Sequence, residues 1–324
     1  SKIYLKAKKA YEEGKEGLMK SFVNNQKGEA YAPLHVGYNV EELRKERLSY
    51  QEGIVPAGGF ILTAGIDVQA GGESKKSRFA ICVRAWGRNG NSWLVHWTEL
   101  DGNTNDYSDP VWERLTDYLL QDWPHASGNG RTLKIEAVAI DAGFITENVY
   151  QYVKDMTESV DGNPPRFYSK LFGTAFYATK GTSQTHGGDR REIYNDPSIM
   201  EVTTEAQERK TLAERMGVLL YLVGTYQSHT ELARRINLKG NRDRWYFCET
   251  SHGRYEEGLL SYRRTYGAAE NFGVWKLIPG RAGEVDSCER LNLFCSHAVG
   301  IRLLTNHQWN SLEHRLLTTG SVAR

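Results

Sequence analysis

Three apolar runs in quick succession constrain this chain more than any other feature. "FILTAGIDVQ" (60–69), "SRFAICVRAWG" (77–87) and "NSWLVHWTEL" (91–100) are rich in β-branched and aromatic residues, with only Gly-, Ser- and Asn-bearing stretches between them. Strands joined by turns this short predict an antiparallel meander. The texture then changes. "DPVWERLTDYLLQDW" (109–123) has Asp-Pro at a helix start and apolar residues at helical spacing. "TLKIEAVAIDAG" (132–143) reads as a strand and "ITENVYQYVKDM" (145–156) as a helix. "AFYATKG" (175–181) and "GVLLYLVGTY" (217–226) are further strands, the second followed by the basic helix "HTELARRINL" (229–238). An apolar segment from Val285 to Leu304 predicts a buried helix. Three adjacent strands followed by strand–helix units predict an α/β fold. Its mixed sheet is antiparallel in the first three strands, parallel afterwards, and flanked by helices.

The polar, helix-prone residues 1–57 read as an arm, 58–306 as the sheet-bearing domain and 307–324 as a tail. The stretch "KGTSQTHGGDRREIYNDPSI" (180–199) reads as a long polar loop over the sheet.

Two of the predicted strands end in a carboxylate. Asp67 closes the first strand, where an apolar residue is expected, and Asp141 closes the strand after the first helix. The topology can place those strands side by side. Two carboxylates a few ångströms apart raise each other's pKa unless a cation compensates them. Oxygen-only donors point to Mg²⁺ or Mn²⁺ rather than zinc. For either aspartate alone, a turn or helix cap explains the residue equally well. A third acid is expected at the start of the C-terminal buried helix, in "GEVDSCERLNLFCSHAVG" (283–300). Asp286 and Glu289 there are three apart and share a helical face. Acidic residues in a first turn also serve the helix dipole, so capping competes with metal binding for both.

Composition narrows the classes. With 41 Lys+Arg against 40 Asp+Glu, the net charge is +1, so a nucleic-acid surface must be a local patch. The four cysteines (Cys82, Cys248, Cys288, Cys295) form no CxxC pair and read as reduced thiols of an intracellular protein. The nine histidines show no HxxxH or HExxH spacing. No apolar run approaches the roughly 20 residues that span a bilayer, which predicts no membrane association. The chain opens on Ser and holds no GxxxxGK[ST], so it reads as part of a longer polypeptide without a P-loop of its own.

These residues resemble the C-terminal nuclease portion of the large subunit of lambda-type tailed-phage terminases. "LTAGIDVQ" with "RAWGRNGNSWLVHW" is similar to that family's opening hairpin, "AIDAGFITENVY" to its second acidic motif and "YATKG" to its Lys-Gly strand end. "GVLLYLVGT" is similar to the next strand, and "SFVNNQKGEAY" to the segment joining motor and nuclease. The likeness runs from about Phe22 to about Leu304. It implies an RNase H-like fold and a metal-dependent endonuclease that cuts concatemeric double-stranded viral DNA with two divalent ions in the host cytoplasm. Implied partners are a small terminase subunit, the portal vertex of the procapsid, and an ATPase motor on the same polypeptide.

Under that resemblance Asp67 and Asp141 would be metal ligands and catalytic residues, completed by Asp286 or Glu289, with Lys180 balancing the scissile phosphate. The chain departs from the family in three places. "GEVDSC" puts Asp286 one position before the family's acid, and Ser287 stands where that acid is expected. Tyr226 and His229 replace an Asp and a Lys, and "AGGESKKS" (70–77) lengthens the turn after Asp67. Lys75, Lys76, Arg190, Arg191, Arg263, Arg264, Lys276 and Arg281 are further candidate phosphate contacts, for which a solvated surface is the competing reading. His186 and His229 stay open. Alternative functions are an actin-like phosphotransferase, suggested by "GIDVQ" but lacking its phosphate loop and duplication, a transposase-type strand transferase without the expected extra DNA-binding domain, and a non-catalytic RNase H-like DNA-binding scaffold.

Overall fold

A computed structural model describes residues 2–12, 16–27, 39–71, 76–182, 192–197, 211–251, 254–265 and 274–319. Helices α1 (Lys2–Glu12), α2 (Glu16–Phe22) and α3 (Val40–Lys45) come first. Asn39 and Glu42 close a capping box on α3. The meander follows as β1 (Ile61–Gln69), β2 (Arg78–Trp86) and β3 (Ser92–Asp101), and then α4 (Val111–Leu120). A small ladder of β4 (Trp123–Pro124) and β5 (Thr132–Leu133) precedes β6 (Ile135–Asp141), α5 (Thr146–Thr157) and β7 (Phe176–Gly181). Next are α6 (Leu212–Met216), β8 (Leu220–Val223), α7 (Thr225–Asn237), β9 (Trp245–Tyr246) and α8 (Tyr255–Leu259). The antiparallel pair β10 (Tyr262–Thr265) and β11 (Val274–Leu277), the helix α9 (Glu284–Ala298) and α10 (Asn306–Thr319) complete the order.

The main sheet has the order β8-β7-β6-β1-β2-β3-β9. β1, β2 and β3 are antiparallel, whereas β6, β7 and β8 run parallel to β1. This is the RNase H-like arrangement. The two-residue strand β9 adds a parallel edge beside β3 that the sequence does not announce. The segment expected as a C-terminal tail carries helix α10, whose Trp309 is buried and meets Phe60 at 6.2 Å between ring centroids.

Strand alternation divides the core. Leu62, Ala64, Ile66 and Val68 of β1, with Val138 and Ile140 of β6, face one apolar layer shared with Leu115 of α4 and Val149 and Val153 of α5. Ile61, Ala137 and Ala139 face the opposite layer with Leu291, Phe294 and Cys295 of α9 and Leu232 of α7. Small residues on this second face let α9 lie almost against the strands. A Cβ on Gly65 would stand 2.0 Å from the Cys288 carbonyl oxygen, so only glycine allows this approach. Asn292 fixes the helix lengthwise by donating to the carbonyls of Cys82 and Cys288 and accepting from the Thr63 hydroxyl. Two residues beyond Gly65 on the same face stands Asp67.

Candidate active site

Ile66 and Ile140 are partners in the parallel β1–β6 ladder. Asp67 and Asp141 are the next residue of each strand and alternate onto the α9 face. Neighbouring strands run about 4.8 Å apart, so the carboxylates leave the sheet side by side. Asp67 is buried and Asp141 half-buried. Burial, and then the charge of Asp141, push the Asp67 carboxyl up to about 7, against a lowering by its hydrogen bond from Gln69. Asp141 is also raised by burial, opposed by the Gly143 backbone N–H at 3.2 Å and by the charges of Arg290 and Lys180. Two carboxylates held together with burial raising both are a place where a cation is bound favourably.

The first turn of α9 covers the pair. Ser287 hydrogen-bonds to Asp67. The position where the resemblance expects an acid thus meets Asp67, and here it carries a hydroxyl. Glu284, one turn earlier, adds its charge to the field that raises Asp67, and it is bridged to Arg78 at 2.7 Å. Sequence reasoning missed Glu284. Its signal was the spacing of three residues to Ser287, which places both on one helical face.

Asp286 is turned away from this position. Its carboxylate receives Arg290 Nε at 2.8 Å and faces His229 Nδ1 at 3.2 Å. Burial alone acts to raise its pKa, but His229 and Arg290 outweigh burial and hold it below the usual carboxylate value. His229 is kept toward the neutral form by burial, against the opposing pull of Asp286. Its ring stacks on Trp275 of β11 and lies 4.4 Å from Tyr262 of β10. Arg290 Nη2 also donates to the Ser287 hydroxyl at 3.1 Å. A continuous polar chain thus runs from Asp67 through Ser287, Arg290 and Asp286 to His229.

Glu289 lies elsewhere. Its carboxylate pairs with Arg84 Nη1 at 2.7 Å, with both side chains fully buried, and accepts from the Tyr255 hydroxyl. Arg84 is opposite Thr63 in the β1–β2 ladder, four residues before Asp67. Its guanidinium lies 3.8 Å from the Trp245 ring centroid and donates to the Tyr246 carbonyl at 2.7 Å. The acid expected to reach a metal is the counter-ion of a core arginine.

Lys180 is exposed near the end of β7, where Thr179 pairs with Asp141, and its charge is felt by Asp141. Arg263 and Lys276 are opposite each other across β10–β11 and both are exposed. Arg264 donates to the Tyr226 hydroxyl and Arg281 to the Leu260 carbonyl. Lys76 is exposed, and its carbonyl accepts from Arg78. Lys75, His186, Arg190 and Arg191 lie outside the described residues.

Among the described residues, no three His, Cys, Asp or Glu side chains converge closely enough to hold a metal ion. The Asp67–Asp141 pair nevertheless fits a divalent cation on chemistry. It consists of two hard oxygen donors side by side, one buried and one half-buried, whose mutual repulsion a cation would remove. The two acids, with Lys180 on the neighbouring strand, stand near the C-terminal ends of the adjacent interior strands β1, β6 and β7. Among the described residues, no helix is long and apolar enough to cross a membrane.

A family model described as terminase large subunit gpA, endonuclease domain, matches residues 2–309. No curated protein and no solved structure matches the chain.

Proposed function

The chain belongs to the endonuclease-domain family of the terminase large subunit gpA, and from that premise we propose that it is a divalent-metal-dependent endodeoxyribonuclease whose chemistry centres on Asp67 and Asp141. The observation that carries this reading is the acidic pair near the C-terminal ends of adjacent parallel strands, with Asp67 pushed up to about 7 by burial and its neighbour. The two aspartates would hold Mg²⁺ or Mn²⁺. Two such ions, when bound, activate water and stabilise the leaving oxygen of a phosphodiester. Of the remaining acids, Asp286 is the proposed third ligand, provided it gives up Arg290 and His229. Glu289 is the weaker candidate because removing it from Arg84 would strand a buried charge. Lys180 binds the phosphate from the side of Asp141.

The proposed substrate is concatemeric double-stranded DNA, cut in the host cytoplasm during genome packaging. The proposed partners are a small terminase subunit, the portal of the procapsid and an ATPase motor on the same polypeptide. The test is nicking of supercoiled plasmid by the chain in Mn²⁺. Activity should vanish in EDTA and fall at least a hundredfold in Asp141→Asn. Robust cutting by Asp141→Asn would falsify the assignment. A second reading, a non-catalytic DNA-binding scaffold, is favoured by Ser287 at the position of the expected acid. It predicts DNA binding with no metal-dependent cutting by the unaltered chain.

A further inference from the structure

The turn after Asp141 holds an aromatic ring in solvent at an energetic cost. Phe144 is 65% exposed, three residues beyond the carboxylate. The next residue, Ile145, adopts φ 48° and ψ 40°. A β-branched residue in the left-handed region is a real outlier, costing on the order of 1–2 kcal/mol. Such strain persists only where the surroundings enforce it.

Here they do, from several sides. The Ala142 N–H donates to the Thr179 carbonyl at 2.8 Å, which ties the turn to β7. The Gly143 N–H donates to Asp141, and a Cβ on Gly143 would stand 3.1 Å from that carboxylate. The Thr146 hydroxyl donates to the Ala142 carbonyl at 2.9 Å. Ile145 packs against the apolar layer of α4 and α5. Every residue from Ala142 to Thr146 except Phe144 is anchored, so the turn presents the Phe144 ring rather than leaving it there by default.

We propose that Phe144 is a substrate-contact residue that packs against the bases of a DNA duplex seated on the acidic pair. Three residues of chain reach at most about 11 Å, and bases are spaced 3.4 Å along a strand. The ring therefore acts within about three base steps of the phosphodiester at Asp141. The duplex that the acidic pair would bind is the ligand closest to Phe144 along the chain, and it is therefore the occupant assigned to the ring. Apolar side chains placed against a base step partly unstack it, and base–aromatic stacking tolerates any sequence. This inference rests on the nuclease reading for the identity of its ligand.

The test uses the whole chain, with Ca²⁺ in place of Mn²⁺ to support binding without cleavage. A set of short duplexes carries 2-aminopurine at successive positions, and affinity is read by fluorescence anisotropy. Wild type should raise 2-aminopurine fluorescence over a window of about three steps. Phe144→Ala should lose that signal and about tenfold in affinity with an unchanged melting temperature, and Phe144→Trp should restore both. If wild type cuts DNA but Phe144→Ala binds and unstacks it equally well, the inference is overturned alone. It is likewise overturned if Phe144→Ala affects only association with another protein. If wild type never cuts but its fluorescence signal depends on Phe144, the base contact stands and the nuclease reading falls.

Discussion

At the scale of single residues, Asp67 has the clearest thermodynamic consequence. Its folded-state carboxyl titrates near 7 rather than at the ordinary value of 3.8. Between those values the folded state holds a proton that the unfolded chain releases, so stability falls as pH rises from about 4 to 7. The contribution is fully present below about 4 and lost above 7, amounting to roughly 4 kcal/mol. Asp67→Asn should therefore melt higher than wild type at pH 8 in EDTA, match it near pH 4, and be inactive. Equal melting temperatures at pH 8 would mean that neither burial nor the Asp141 charge penalises the ionised Asp67. Glu289→Gln strips the charge partner from buried Arg84 and should cost about 3–5 kcal/mol in denaturant unfolding, whereas Arg84→Met with Glu289→Leu should restore most of it. Asp67 and Asp141 were legible because each ends an apolar run whose alternation fixes the face it occupies. The partnership of Glu289 with Arg84 was not, since 205 residues separate them and only the packed core unites them.

At the scale of elements, the decisive object is the phase of α9. Adjacent helical residues point about 100° apart, so which of Asp286 and Ser287 meets Asp67 depends on how the helix sits on the sheet. Gly65 sets that, through backbone contact with Cys288. The sequence announces the helix and its acids but not its rotation. The same holds for β10–β11, whose short strands carry too many charges to read as strands, yet whose Tyr262 and Trp275 cover His229. Ser287→Asp should place a third carboxylate at the pair. Calorimetric titration should show Mn²⁺ bound at least several-fold more tightly than by wild type, with a lower melting temperature in EDTA from the added repulsion. Unchanged Mn²⁺ affinity would show that this helical position does not face the metal.

At the scale of the whole molecule, 41 basic and 40 acidic residues leave no overall attraction for a polyanion. Affinity for DNA must come from a few placed cations, among which Lys180, Arg263 and Lys276 are exposed. Binding should be weak and should fall with salt. Lys180→Ala should reduce the slope of log K against log salt by about 0.9, which is one phosphate contact. The strand directions were readable from short connections followed by strand–helix units, because parallel crossovers have few alternatives, whereas the full order with its β9 edge was not. What places two aspartates 74 residues apart in sequence beside each other is that order, through the β1–β6 ladder. The most direct measurement is the anomalous scattering of a crystal soaked in Mn²⁺. A peak within coordinating distance of both Asp67 and Asp141 is the predicted result. Saturating Mn²⁺ that leaves this pair empty, or that binds instead at Glu289, would contradict it.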